Sequence, residues 1–562
     1  MKKYKKIFLF SDFNLDLFND FLENQLDKRK FKIVNSEYNQ IDQFLRKSDL
    51  KKKEDNHILF QWISGNYFFK ILKNNNYNKK YKKEFNNYID EFIENTKKKS
   101  SIYEYILMPS ITIDNNYREN NIFDLKKNMS EKNLIDEINF KLKKAFNEYN
   151  NIFIIDINSW IQNLGKKSFN RKMWYSAKIP YSFDFFKLAA QETVKIIDTL
   201  YLENKKLIIL DLDNTLWGGI LGDDGYDGIN LGGHDPVGEA YQDFQRELLK
   251  LKQKGLILAI CSKNNEKNVE EVFKKNKNMI LRDKDFAIKK INWHDKAKNI
   301  NEILNELNLK SNSAVFLDDS KHERERVKTV FDEIVVPDLP LNPMGFVDFI
   351  LQQPLLNIKA QTKEDETKTK LYHDEAKRKK LKVKIKSNED WLNELKISVN
   401  VYMLNNQNLE RTIQLLNKTN QFNLRTNRYS VGNFKKIYTI NDNKIFIFEV
   451  TDKFGSAGII SIVGIFKKKK RLYVNDFVMS CRVFGREIEF GILHCITKIA
   501  KKENIETIEF DYKKTKKNLP TIEFLKKTKM KIEKNKFIWK NLKEYTKPNH
   551  LKINYNFLDE EK

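Results

Sequence analysis

Leu207-Ile208-Ile209-Leu210-Asp211-Leu212-Asp213-Asn214-Thr215-Leu216 is the stretch on which the fold of this 562-residue chain turns. Four apolar residues in succession predict a strand buried on both faces, as in the parallel sheets of α/β proteins. The run ends in carboxylates at i and i+2, followed by a hydroxyl residue. Ligands of open α/β sheets bind just beyond the carboxyl ends of the strands, where Asp211 and Asp213 would stand. One carboxylate can attack phosphorus to form an aspartyl phosphate while the other moves the proton. Negative charge of that density beside a phosphoryl group calls for Mg²⁺. The structural alternative is a turn that uses Asp, Asn and Thr only for their local hydrogen bonds.

The segments downstream favour the chemical reading. Leu256-Ile257-Leu258-Ala259-Ile260-Cys261 predicts a second buried strand, running into Ser262-Lys263-Asn264. Trp293-His294-Asp295-Lys296 precedes a helical pattern over Ala297–Leu304, and Ala314-Val315-Phe316-Leu317 predicts a third strand ending in Asp318-Asp319. D-x-D-x-T followed by these segments in this order resembles the four motifs of the haloacid-dehalogenase (HAD) superfamily of phosphotransferases. The resemblance implies Asp211 as nucleophile and Asp213 as general acid and base. It implies a phosphate site of Thr215, Ser262, Asn264 and Lys296. It implies a Mg²⁺ site of the Asp211 carboxylate, the Asp213 backbone carbonyl and the pair Asp318-Asp319. Taken singly, Ser262, Asn264 and Asp318-Asp319 can also be read as helix caps, and Lys296 is one lysine of many. Their joint order is what carries weight.

The length suggests three domains or four. With 40% hydrophobic and 12% aromatic residues the chain has ample material for globular cores, and no run of about 18 apolar residues predicts a membrane span. The apolar run Ile7-Phe8-Leu9-Phe10 is too short for a signal-peptide core and reads as a first strand. Three cysteines, Cys261, Cys481 and Cys495, make no disulfide framework and point to a reducing cytoplasm. The net charge of +26 is spread along the chain, and arginine is sparse, so nucleic-acid binding or a scaffold role is disfavoured.

Strand patterns at Ile7–Phe10, Phe31–Val34, His57–Phe60, Tyr105–Met108 and Ile152–Asp156 predict an α/β region over 1–202, with loops at Asn74–Lys83 and Asn115–Asn121. The parallel sheet around Asp211 covers 203–345. The Gly- and Asp-rich Trp217–Pro236 segment reads as a flap, with no large cap domain. A helical linker spans 346–394, including a solvated helix of both charge signs from Glu364 to Lys380. An α+β region covers 395–562, with strands at Ile397–Val401, Ile445–Val450, Gly458–Val463 and Tyr473–Val478 and a helix from Ile488 to Lys501.

Three motif groups make nearly the whole chain resemble the FkbH-like proteins, a HAD subclass IIIC phosphatase joined to an acetyltransferase-like (GNAT) domain. In the HAD part they are Leu216-Trp217-Gly218-Gly219, Ser262-Lys263-Asn264 and Asp318-Asp319 with Glu323-Arg324-Glu325; Ser320-Lys321 stands where the family has Asn-Pro. In the last region they are Asn417–Thr426, Asp452-Lys453-Phe454-Gly455 with Gly458, Met479–Arg486, and Tyr512, Thr515, Lys517-Asn518 and Pro520. Val483-Phe484-Gly485-Arg486 carries a single glycine where a GNAT enzyme binds the coenzyme A pyrophosphate. The first region is similar to an SGNH-hydrolase domain without its catalytic set: Ser11-Asp12-Phe13 replaces the nucleophile block, and Asp156-Ile157-Asn158-Ser159 lacks the histidine. It implies docking rather than catalysis. The resemblance as a whole implies an enzyme that dephosphorylates 1,3-bisphosphoglycerate and delivers the glyceryl unit to the phosphopantetheine arm of an acyl carrier protein. Cys481 is the candidate acyl site, with Arg482 and Arg486 able to lower its pKa; a small buried hydrophobe at a strand end is the other reading. Cys261 reads as core and His494 as a packing residue. A plain phosphatase with a separate acyltransferase module, in surface-glycan or lipid biosynthesis, is the alternative function.

Overall fold

The computed structural model describes residues 5–27, 30–35, 41–46, 57–69, 79–112, 130–201, 205–356, 368–385, 387–429, 431–438, 443–515, 517–528, 530–533, 536–540 and 544–556. The chain divides into two compact units, Met1–Tyr201 and Leu202–Lys562.

In the first unit, β1 (Lys5–Ser11), β2 (Phe31–Asn35), β3 (His57–Trp62), β4 (Tyr105–Pro109) and β5 (Ile152–Ile155) form a parallel sheet in the order β2-β1-β3-β4-β5. Alternation along β1 explains the two-sided core. Ile7 and Leu9 enter the cluster around Trp62 and Phe186, whereas Phe8 and Phe10 lean on the opposite one around Phe68 and Phe92. The expected loop at Asn74–Lys83 is corrected in its last part, because Lys79–Lys99 is a helix. Phe85, Ile89, Phe92 and Ile93 recur on one buried face of it, and that spacing outweighs the lysine-rich start. Asn74–Asn78 and Asn115–Asn121 lie outside the described residues.

The second unit holds two sheets. β6 (Leu207–Leu210), β7 (Ile257–Ser262), β8 (Phe286–Ile291) and β9 (Ala314–Leu317) are parallel in the order β8-β7-β6-β9. Ile208 and Leu210 pack on one face and Leu207 and Ile209 on the other, as a doubly covered strand requires. Phe346, Ile350 and Leu356 pack into the first of these cores. The larger sheet contains β10 (Ile397–Met403), β11 (Phe422–Asn423), β12 (Asn443–Asp452), β13 (Gly455–Lys468), β14 (Arg471–Met479), β15 (Thr507–Asp511), β16 (Lys531–Glu533), β17 (Lys536–Lys540) and β18 (Leu551–Tyr555). Its order is β16-β17-β15-β14-β13-β12-β10-β18, with β11 added on β14. β14–β15 and β10–β18 are parallel and the other pairs antiparallel. The architecture is therefore α/β with parallel sheets and an α+β last region. Among the described residues no helix is long and apolar enough to cross a membrane.

The solvated connecting helix expected from Glu364 to Lys380 is the second correction, its first four positions, 364–367, lying outside the described residues. Lys368–Lys384 is helical, but Thr369, Asp374 and Arg378 are buried. Arg378 makes a bidentate ion pair with buried Asp452 at 2.6 and 2.9 Å, and Lys379 Nζ donates to the Glu306 carbonyl at 2.8 Å. Both charge signs are present because the helix is clasped to its neighbours. Replacing one partner of a buried pair strands the other charge. Arg378→Ala is expected to lower the unfolding free energy by about 3 kcal/mol, and Asp452→Ala on that background to cost much less than it does alone, checked by a urea-denaturation double-mutant cycle.

Candidate active site

Asp211 leaves the end of β6 with its N–H bonded to the Leu317 carbonyl at 3.0 Å, so the first carboxylate is fixed to the strand that carries Asp318. The chain then turns sharply. Thr215 and Leu216 N–H groups donate to the Leu212 carbonyl, and Asn214 adopts φ +51°. Gly219 has φ +93°, and a Cβ there would meet the Asp224 carboxylate at 2.5 Å, so this turn requires glycine. Gly218 and Asn230 exchange backbone hydrogen bonds that close the base of the flap.

Lys296 Nζ lies 2.8 Å from Asp211 Oδ2 and 2.6 Å from Asp318 Oδ2, and all three side chains are buried. Lys296 opens the helix Lys296–Leu307, whose N-cap Asp295 accepts from Ala297 and Lys298 N–H and pairs with Arg326. Asn292 and Asn299 side chains bond each other across the loop after β8. Burial works against the Lys296 ammonium, but Asp211 and Asp318 outweigh it and hold its pKa above the usual lysine range. Burial, and then the Asp211 charge, push Asp318 up to about 7; the same two causes raise Asp319.

Oxygens of Asp211, Asp318 and Asp319 lie within 4.8 Å of one another. Asp211 Oδ1 is buried without a hydrogen-bond partner. Three carboxylates against one ammonium leave an excess of hard, anionic oxygen donors, the donor set of a hard divalent cation. The Asp213 carboxylate points elsewhere. Its Oδ1 accepts from Trp217 Nε1 at 2.9 Å and Leu221 N at 3.2 Å, and its Oδ2 from Asn264 Nδ2 at 2.9 Å. Burial nevertheless raises its pKa, the Asp211 charge adding to the rise and the three donors opposing it.

Ser262, at the end of β7, is buried and stands opposite Ile291 in register. Thr215 Oγ1 is buried without a partner. Asn264, expected on phosphate, holds Asp213 in this structure. Sequence reasoning missed two supports. Trp217 anchors Asp213, and buried Arg324 donates to the backbone carbonyls of Asp318 and Asp319 at 2.9 and 2.6 Å. Their signals were the Trp-Gly-Gly and Glu-Arg-Glu segments. The helix after the acidic pair is capped by Ser320, not by an aspartate.

Of the other sequence-predicted residues, Cys261 lies against this cluster, its Sγ donating to the Lys296 carbonyl at 3.6 Å. Cys481 is an exposed free thiol at the turn after β14, which overturns the buried-hydrophobe reading; Cys261 and Cys495 are buried. Arg486 is committed to Glu375 at 2.5 Å and to the Arg482 carbonyl, so it is not a free charge for the thiol. His494 Nδ1 is bound to the Tyr545 carbonyl at 2.7 Å, as a packing residue would be. In the first unit, Asp12 accepts from Ser64 N and Oγ at 2.8 and 2.5 Å, Ser11 Oγ accepts from Phe13 N, and Asp156 caps the helix Ile157–Leu164.

Comparison with known proteins agrees with this geometry. Residues 9–198 match the family model described as FkbH, N-terminal domain, and residues 225–329 match that of haloacid dehalogenase-like hydrolase. No curated protein matches the chain. The N-terminal part of a Bacteroides fragilis protein, described as containing a phosphatase domain complexed with Mg, is similar at 26% identity and a TM-score of 0.55, over 64% of this chain and 95% of that one. An acetyltransferase of the GNAT family from Staphylococcus aureus Mu50 is similar over 26% of this chain and 99% of that one, at 14% identity and a TM-score of 0.21. The ribosomal-protein-S18-alanine N-acetyltransferase of Escherichia coli is similar over 24% of this chain and 79% of that one, at 9% identity and a TM-score of 0.20. The two family-model matches and the phosphatase-domain neighbour bear out the resemblance to FkbH-like proteins with a HAD-type hydrolase domain, and the chain is an enzyme of hydrolase type.

Lys296→Met would leave Asp211 and Asp318 facing each other in a buried site. A carboxyl whose folded pKa is raised favours the folded state at low pH and disfavours it as pH climbs through that pKa. In chelating buffer the melting temperature of Lys296→Met is expected to fall furthest below wild type at pH 8 and to recover towards it at pH 5.5, read by thermal scans at the two pH values.

Proposed function

We propose that the chain is a Mg²⁺-dependent HAD-type phosphatase that also loads an acyl unit onto a carrier. The observation that carries the phosphatase reading is the unpartnered Asp211 Oδ1 beside Lys296, Asp318 and Asp319. The oxygen attacks phosphorus, and the leaving alcohol takes a proton from Asp213, whose raised pKa suits an acid. Water then gives its proton to Asp213 and attacks the aspartyl phosphate, restoring Asp211 and releasing phosphate. Lys296, Ser262, Thr215 and Asn264 hold the phosphoryl oxygens. Mg²⁺ would be held by the carboxylates of Asp211, Asp318 and Asp319 and the Asp213 carbonyl, and it supplies charge compensation for the phosphoryl group.

At the finer level the donor is 1,3-bisphosphoglycerate and the acceptor the phosphopantetheine thiol of an acyl carrier protein. The Cys481 thiolate attacks the acyl-phosphate carbonyl and the 1-phosphate leaves, giving a 3-phosphoglyceryl thioester whose 3-phosphate the Asp211 site transfers to water. The carrier thiol then takes the glyceryl group and returns the thiolate. The FkbH match and the exposure of Cys481 support this reading. The domains are 1–202, a non-catalytic docking domain; 203–345, the phosphatase; 346–394, the helical linker; and 395–562, the acyltransferase-like domain. Three unpaired cysteines support a cytoplasmic setting. A plain phosphatase with a separate acyltransferase module is the second reading, favoured by Cys481 standing at the end of a sheet other than that of β6.

Intact-mass measurement after exposure to Mg²⁺ and fresh 1,3-bisphosphoglycerate is expected to show a glyceryl adduct that Cys481→Ser loses; steady phosphate release without an adduct removes Cys481. Asp211→Asn is expected to lower phosphate release by at least about 10³-fold, and surviving turnover would disprove the nucleophile. Trp217 donates to the Asp213 carboxylate and so lowers its pKa. Trp217→Phe removes that donor, Asp213 keeps its proton to higher pH, and the basic limb of the pH profile for kcat is expected to move upward.

A further inference from the structure

β14 and β15 are paired in parallel only from Arg471–Thr507 to Val474–Phe510. β14 continues to Met479, still paired along its other edge with β13. Past Val474 the two parallel strands have separated. Such a split exposes backbone N–H and C=O groups of Phe477–Met479, the template on which an extended ligand can lie as an added strand.

The split is filled from within. β11 runs antiparallel to β14, Phe422 opposite Met479 and Asn423 opposite Val478. Leu424 N donates to the Phe477 carbonyl at 3.0 Å, and Lys513 N, just beyond β15, donates to the Leu424 carbonyl at 3.0 Å. The segment is thus bonded to β14 on one side and to the exit of β15 on the other.

Three buried side chains lock it. Asn518 Nδ2 donates to the Asn423 and Lys513 carbonyls, both at 2.9 Å, while its Oδ1 accepts from Tyr512 Oη at 3.0 Å and Thr515 N at 2.8 Å. That uses its full hydrogen-bonding capacity. Thr521 Oγ1 accepts from Asn423 N at 2.9 Å and donates to the Gln421 carbonyl at 3.3 Å. Asn423 closes the turn that follows, accepting from Arg425 N and Thr426 N and donating to the Thr419 carbonyl. Phe422 packs on Phe477 and Phe524 with ring centroids 5.1 and 5.5 Å away. Two segments that the sequence singles out, Asn417–Thr426 and Tyr512–Pro520, meet here, and neither takes part in the phosphate chemistry.

We infer that Gln421–Thr426 is a built-in strand that closes the β14–β15 split to extended pantetheine-type ligands. A thiol-bearing arm then reaches Cys481, two residues past Met479, from the open side of the Ser480–Val483 turn, and free coenzyme A finds no strand position on β14. The inference rests on the carrier reading only for its choice of ligand.

Hydrogen-exchange mass spectrometry of the full chain, with and without millimolar coenzyme A, tests it. In wild type, peptides covering 421–426 and 475–479 are expected to exchange as slowly as β13, with no change on adding coenzyme A. Asn518→Ala should speed exchange in both by about tenfold or more, and the milder Thr521→Val should act in the same direction if Asn518→Ala fails to fold. Rapid exchange of 421–426 in wild type, or protection of 475–479 by coenzyme A, would overturn the inference. Loss of carrier loading with the slow-exchange pattern intact would count against the acyl reading alone.

Discussion

The Lys296 ammonium between Asp211 and Asp318 is the interaction on which the rest of the site depends. Two buried carboxylates at the ends of adjacent strands repel each other, and their desolvation costs several kcal/mol each unless a cation stands between them. β6 and β9 are locked in register, so the strands cannot part to relieve that repulsion. The cation must be brought in from elsewhere in the fold. The loop after β8 does this, and its Asn292–Asn299 bonds and the Asp295 cap fix the first residue of a helix to within hydrogen-bond tolerance. Asp295 also offsets the unfavourable position of a lysine at the positive end of a helix.

Two carboxylates separated by one residue receive opposite treatment. Asp211 faces Lys296 and keeps one oxygen without a partner, whereas both Asp213 oxygens are engaged by neutral donors from the flap and from the β7 exit. Neutral donors orient a carboxyl without cancelling the cost of burying its charge, so Asp213 holds its proton more tightly than an exposed aspartate. One short motif thereby holds two carboxyls of different character, separated by surroundings rather than by residue type, as the proposed division into nucleophile and acid requires.

Legibility followed burial. β6, β7 and β9 read directly from sequence because strands covered on both faces are uninterrupted apolar runs. β8 was hidden because Lys289 and Lys290 break its pattern, which an edge strand tolerates: they pair with Asp283 and with Glu302 and Glu306. β11 was hidden for another reason. Two residues carry no periodicity, and the strand exists because Asn518 and Thr521, about a hundred residues away, complete its hydrogen bonds. At the site, D-x-D-x-T, Lys296 and Asp318-Asp319 were legible by order alone. Trp217 and Arg324 were not, since their part is to hold other groups in place and nothing in their spacing says which.

The helix Lys368–Lys384 shows why charge pattern misleads about solvation. Its alternating signs suit a solvent-exposed helix, yet Tyr372 packs on the core beneath β6 and β7 and stands within electrostatic reach of Cys481 and Arg482. One turn and a half further on, Arg378 is paired with Asp452 at the end of β12. A single rigid element therefore contacts both sheets of the second unit. Displacing one sheet against the other would break the Arg378–Asp452 pair or strip Tyr372 from its apolar seat, and the first alone costs about 3 kcal/mol. That is enough to keep the β14 exit, with Cys481, in a fixed relation to the sheet that carries Asp211. The proposed division, with phosphate removed at one sheet and an acyl group handled at the other, requires such a constraint, because positioning two groups of one substrate is effective only if the positions do not drift.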